Sequence, residues 1–173
     1  MTPSQFTQHA LILWRADPPP HATSVLHAAL GLVLELQEFA AARTPENQLE
    51  ELGDILFYLH ILWNEIGYSE PNTRGFIQTR DLSPIEAVHN AAEAAKRFAV
   101  YYSAEKDLAL RENLRLALRE LSAKLEHDFS ADALADARAA NGRKLAARYP
   151  AGFDPLKAVD RDLTLEAKAL GEQ

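Results

Sequence analysis

Apolar residues return along this chain at three- and four-residue intervals between clear start signals, which is the period of an amphipathic helix. Thr2-Pro3, Thr44-Pro45, Ser83-Pro84 and Asp154-Pro155 each set a capping side chain before a proline at the first helical position, where the missing N–H costs nothing. Ser83 is followed three residues later by Glu86, the spacing of a capping box. No stretch alternates β-branched residues in the way that demands a strand. The pattern predicts helices near residues 3–15, 23–42, 45–67, 84–102, 104–127, 131–148 and 155–169, with loops at 16–22 and 67–81. Short connections at Arg43-Thr44 and Ser103 imply antiparallel hairpins. The expectation is an all-α antiparallel helical bundle in one domain over 1–173, with an acidic half at 1–70 and a second helical half at 82–173.

The segment EELGDILFYL (50–59) breaks the ordinary helical rule that charges keep to the wet face. Glu51 and Asp54 are three apart, hence on one stripe, beside Ile55 and Tyr58. The preceding helix repeats the arrangement: Glu35 and Glu38 share a stripe, and Glu35 is flanked by Leu34 and Leu36. A carboxylate among apolar neighbours raises its pKa or destabilises the fold unless something compensates its charge. Two antiparallel helices joined at residues 43–44 can aim these four acids at one point, and a hard divalent cation is the natural occupant of such an oxygen set. Gly53, inside the second of these helices, costs ~1 kcal/mol relative to alanine and points to a close approach by another element.

Charge and composition narrow the picture. Residues 1–73 hold nine acids against Arg15 and Arg43, and so carry the whole net charge of −7; the remainder is balanced at sixteen of each sign. An acidic first half suits cations and argues against a nucleic-acid groove. The chain has no cysteine, which excludes disulfides and thiolate metal sites. The start, MTPSQFTQHALILW, lacks the basic and apolar order of a signal peptide, and no apolar run is read as reaching the ~20 residues of a membrane span. The expected setting is cytoplasmic, with no nucleic-acid or membrane partner.

Sliding the chain by 62 residues lays VLHAALGLVLELQEF (25–39) over AVHNAAEAAKRFAVY (87–101), with His27 on His89, Ala29 on Ala91, Leu52 on Leu114, Leu56 on Leu118 and Leu59 on Leu121. Helical heptads alone produce coincidences of this kind. If the repeat is an internal duplication, the bundle is a pseudo-dimer whose second hairpin lacks the acids, because Glu35, Glu38, Glu51 and Asp54 fall on Arg97, Val100, Asn113 and Leu116.

Glu35-x-x-Glu38, twelve residues, then Glu51-x-x-Asp54 resembles the signature of the MazG-type all-α nucleoside triphosphate pyrophosphohydrolases. ALGLVLELQEF and EELGDILFYL look like the family's two acidic segments. ANGRKLAARYPAGF (140–153) is similar to its C-terminal Asn-x-x-Lys-Leu-x-x-Arg-Tyr-Pro-x-Gly-Phe stretch. The resemblance implies a Mg²⁺-dependent enzyme, with Mn²⁺ as a substitute, that cleaves a ribo- or deoxyribonucleoside triphosphate to the monophosphate and pyrophosphate in a house-cleaning role. Carried onto this chain, Glu35, Glu38, Glu51 and Asp54 are the metal ligands and Glu38 activates the attacking water.

Asn141, Lys144 and Arg148 form a polar stripe that either meets phosphate and sugar or complements the helix C-terminus; the resemblance favours substrate for Asn141 and Lys144. The chain departs from the family in having Leu34 and Gln37 among the first acids and only Arg43 after them. Phosphate-binding charge is therefore sought in AAKRFAVYYSAEKD, at Lys96, Arg97 and Lys106 with Tyr101 or Tyr102. In the duplication picture that segment takes the place of a partner subunit in dimeric relatives, and a homodimer is compatible with either outcome. Two other classes remain open: a non-catalytic nucleotide- or metal-binding regulatory bundle, which Leu34 and Gln37 favour, and a structural adaptor. Glu86-x-x-His89 is half of a di-iron motif without its other half. Trp14, Trp63, Phe57 and Tyr58 read as core before base-stacking platform, and Tyr58, one turn from Asp54, is the exception to watch.

Overall fold

Hydroxyl side chains and prolines start the helices where the sequence places them. The computed structural model describes residues 22–68, 82–103 and 105–149, together with Thr164 and Lys168. Among these residues there are five helices and no strand: α1 (Ala22–Ala41), α2 (Pro45–Glu65), α3 (Pro84–Val100), α4 (Asp107–Asp128) and α5 (Ala131–Arg148). The chain is thus all-α over its described length. The helices expected at 3–15 and 155–169 lie outside the described residues, apart from Thr164 and Lys168, which are helical.

Thr44 caps α2 by accepting from the Asn47 N–H at 3.2 Å. Ser83 and Glu86 close the expected capping box: the Ser83 hydroxyl accepts from the Glu86 N–H at 3.3 Å and Glu86 Oε2 accepts from the Ser83 N–H at 2.8 Å. Ser130 caps α5 in the same way, accepting from the Ala133 N–H at 3.1 Å. Three boundaries differ from the pattern by two or three residues, and the first is the end of α3, at Val100 rather than near 102. α2 stops at Glu65, because Gly67 turns the chain with a left-handed φ of 75°. α4 begins at Asp107 rather than near 104, with Lys106 in the cap position and no side-chain cap hydrogen bond.

The helices pack as two hairpins. α1 lies against α2 and against α3, α3 against α4, and α5 against α2. One apolar core runs through all five, with Leu32, Leu56, Leu59, Phe98, Leu118 and Leu121 fully buried. Polar ties fix the helix ends. Ser24 at the start of α1 donates to Glu65 at the end of α2 at 2.7 Å, as an antiparallel pair allows. The Trp63 indole donates to the buried Ser122 hydroxyl at 3.3 Å, and Arg111 donates to the Ile66 carbonyl at 2.9 Å, so α4 is tied to α2. Positions superimposed by the 62-residue slide share their burial: Ala29 and Ala91, Leu52 and Leu114, Leu56 and Leu118, Leu59 and Leu121 are all buried. His27 and His89 are both exposed.

One sequence expectation needs amending. α1 is, by length and composition alone, long and apolar enough to cross a membrane, because alanines and leucines run on from Ala22 with few charges. In the bundle that apolarity serves two neighbours at once: Val25, Ala28, Ala29 and Leu32 are buried where α1 is sandwiched by α2 and α3.

Gly53 explains how α5 comes so near α2. A Cβ at this position would stand 2.6 Å from the Ala137 carbonyl oxygen and 2.9 Å from Asn141 Cβ. Backbone cannot move aside cheaply, so the crossing requires glycine. Gly53→Ala is expected to lower stability by about 1–3 kcal/mol through overpacking, although alanine is the better helix former. Urea unfolding measures this, and equal or greater stability would mean that α2 and α5 do not meet so closely.

Candidate metal centre

Each acidic pair arises because one helix turn carries a three-residue repeat while the opposite face is spent on the core. On α2 the buried face is Leu52, Ile55, Leu56 and Leu59, which leaves Glu50, Glu51 and Asp54 on the stripe facing α1 and α5. On α1 the fully buried run ends at Leu32, and Glu35 and Glu38 follow it on the side of α2. Carboxylate oxygens of Glu35, Glu38 and Glu51 lie within 4.8 Å of one another. Glu35 and Glu51 are half-buried and Glu38 is exposed.

The electrostatics follow from that crowding. Burial, then the negative charge of Asp54, then a hydrogen bond to Glu51 push the Glu35 carboxyl up to about 8 from an ordinary 4.5. Protonated Glu35 donates to Glu51, which is the arrangement two close carboxyl groups adopt when they share a proton in place of a cation. Burial also raises Glu51; the bond from Glu35 opposes the rise, and the Glu38 charge adds to it. The oxygen-only donor set, its half-burial and its need for positive charge all fit a hard divalent ion.

Asp54 is outside this trio, though near enough for its charge to act on Glu35, and its own partners are on α5. Its Oδ1 accepts from the Asn141 side-chain amide and its Oδ2 from the Lys144 ammonium, both on α5. Lys144 also donates to Glu50 Oε1 at 3.1 Å. The Lys144 side chain is only 3% exposed, so its charge has left bulk water. Burial works against that ammonium, but Asp54 and Glu50 outweigh it and hold its pKa above the ordinary value.

These groups line a cavity of about 660 Å³. Its lining holds the five carboxylates Glu35, Glu38, Glu50, Glu51 and Asp54 together with Lys144 and Arg148. Phe57, Tyr58, Ile61, His27 and Tyr149 line it as well. Tyr58 packs edge-on to Phe57 at 5.2 Å and lies 5.9 Å from the His27 ring. Its seat is Gly31 on α1, where a Cβ would be 2.5 Å from the tyrosine ring.

Of the residues singled out in the sequence, the structure gathers Glu35, Glu38 and Glu51, and brings Asp54, Lys144 and Arg148 to the same cavity. Asn141 and Lys144 bond Asp54, which makes them partners of the acids. Lys96 and Arg97 are elsewhere: both are more than half exposed on α3 and pair with Glu93, at 3.5 and 3.2 Å, and neither lines the cavity. Tyr101, Tyr102 and Lys106 do not line it either. Leu34 and Gln37 point to solvent, so the departures from the family pattern do not intrude on the acids. Sequence reasoning missed Glu50 as a participant and His27 and Tyr149 as lining. Glu50 had a signal, since it is one helical turn before Asp54; His27 and Tyr149 had none without the packing.

Comparison with protein-family models, with curated proteins and with solved structures returned no match.

The Glu35 shift has a measurable consequence. A carboxyl that ionises at 4.5 when unfolded and near 8 when folded binds more protons in the folded state across that window. Its stabilising effect is complete below the unfolded pKa and is lost as pH rises through the folded one. In chelator, the melting temperature should therefore fall between pH 5 and pH 8, and Glu35→Gln should flatten that fall. A slope unchanged in Glu35→Gln would assign it to other groups.

Proposed function

We propose that this chain is a Mg²⁺-dependent nucleoside triphosphate pyrophosphohydrolase of the MazG type, in which Mn²⁺ can replace Mg²⁺. The observation that carries the reading is the convergence of Glu35, Glu38 and Glu51 in a cavity that aromatic and apolar side chains also line. That combination suits a ligand with a highly charged, metal-binding part and a flat apolar part, as a nucleotide has. The acidic spacing and the Asn-x-x-Lys-Leu-x-x-Arg-Tyr-Pro stretch support the same family, and the shared burial of the two hairpins supports an internally duplicated pseudo-dimer.

Glu35, Glu38 and Glu51 would hold the ion. When bound, Mg²⁺ neutralises phosphate oxygens and lowers the pKa of a coordinated water. Glu38, the exposed member of the trio, has room to accept the proton of the attacking water. The water oxygen joins phosphorus at the α–β bridge, and the bridging P–O bond breaks. The products are a nucleoside monophosphate and pyrophosphate. Arg148, set above the Tyr149 ring at 5.8 Å, brings positive charge to the cavity and suits the outer phosphates. Phe57, Tyr58 and Ile61 offer the base an apolar wall.

A second reading, a nucleotide-binding regulator without turnover, is favoured by one observation: both oxygens of Asp54 are engaged by α5. Product analysis separates the two. Purified protein incubated with Mg²⁺ and a panel of ribo- and deoxyribonucleoside triphosphates should yield monophosphate and pyrophosphate. Glu38→Gln should slow this by about 10²–10⁴-fold, the usual worth of a general base. Diphosphate and orthophosphate as products would refute the bond assignment. Metal-dependent nucleotide binding without any product would establish the regulator.

A further inference from the structure

We propose that Lys144 occupies the place of a second cation, so that this site takes one divalent ion on Glu35, Glu38 and Glu51 while Asp54 and Glu50 stay with the lysine. The inference rests on the reading of the acidic cavity as a metal site. The five carboxylates divide by partner. Glu35, Glu38 and Glu51 close on one another within 4.8 Å and make no ion pair with a lysine or arginine among the described residues. Asp54 and Glu50 share the ammonium of Lys144, and the second oxygen of Asp54 is taken by Asn141.

This second arrangement is built into the fold. Lys144 is 3% exposed at its side chain, Asp54 17% and Glu50 22%. A divalent ion entering between Asp54 and Glu50 would have to displace that ammonium and leave it buried without a counter-charge, a severe cost. The approach of α5 that delivers both donors depends on Gly53, since a Cβ there would strike Ala137 and Asn141. Asp54 and its partners are therefore held in place whether or not an ion is bound. Lys144 and Asn141 act as positioning residues: they fix the charge and orientation of α2 beside the ion, and they touch neither the ion nor the phosphates.

The test counts ions on the full chain by Mn²⁺ titration, following the free-ion electron paramagnetic resonance signal. Wild type should bind one Mn²⁺ tightly, and Lys144→Gln, shown to be folded by circular dichroism, should bind two. Should Lys144→Gln not fold, wild type and Asp54→Asn decide. Asp54→Asn should still bind one ion and should lose less affinity than Glu51→Gln does. Two tight ions in wild type, one ion in folded Lys144→Gln, or a greater loss in Asp54→Asn than in Glu51→Gln would overturn the proposal and leave the metal site standing. No Mn²⁺ on wild type would overturn the metal reading along with it.

Discussion

Repulsion between like charges is the constraint on which the rest of this molecule depends. Two unit charges about 5 Å apart repel by roughly 3 kcal/mol at an effective dielectric of 20, and a domain of ordinary stability has only about 5–15 kcal/mol in hand. Five ionised carboxylates lining one cavity would consume that margin. The fold answers in two ways. Around Asp54 and Glu50 it installs a permanent ammonium, and around Glu35, Glu38 and Glu51 it retains a proton, a far weaker remedy that a metal ion can replace. The lining thus carries one fixed counter-charge, the Lys144 ammonium, and one exchangeable one, the Glu35 proton.

α2 is the element that makes this possible, because it serves three neighbours at once. Leu52, Leu56 and Leu59 belong to the core, and Glu51 and Asp54 belong to the cavity. Gly53, between them, belongs to the crossing with α5. The letters of EELGD are thus neither misplaced charges nor a weak helix. They are successive directions around one helix that has no solvent face at this level, apart from the side that opens into the cavity.

Much of the fold was legible because its signals are local. Thr44-Pro45 and Ser83-Pro84-x-Glu86 fix helix starts through bonds made within four residues, so sequence alone reads them. The start of α4 was misplaced by three residues for the complementary reason: no side chain caps it. The acidic stripe was legible as a stripe, since spacing of three decides a shared face. Spacing cannot say which partner each acid meets. That Asp54 turns to α5, and that Lys96 and Arg97 spend their charge on Glu93 far from the cavity, are tertiary facts set by how the helices cross. Gly53 was the one long-range clue in the chain, a cost in helix propensity that only a close neighbour explains.

The distance along the chain between Asp54 and Lys144 has a consequence for how the protein is made. The two lie 90 residues apart, so at about 5–20 residues per second a ribosome emits the acidic hairpin roughly 5–20 s before the lysine that neutralises it. For that interval the newborn helices can find every apolar partner in α1 and α2 but none of their internal positive charge. The small cations of the surrounding solution are then the screen available to them. The ionic conditions of synthesis thus bear on this hairpin more heavily than on the finished molecule, which carries its own.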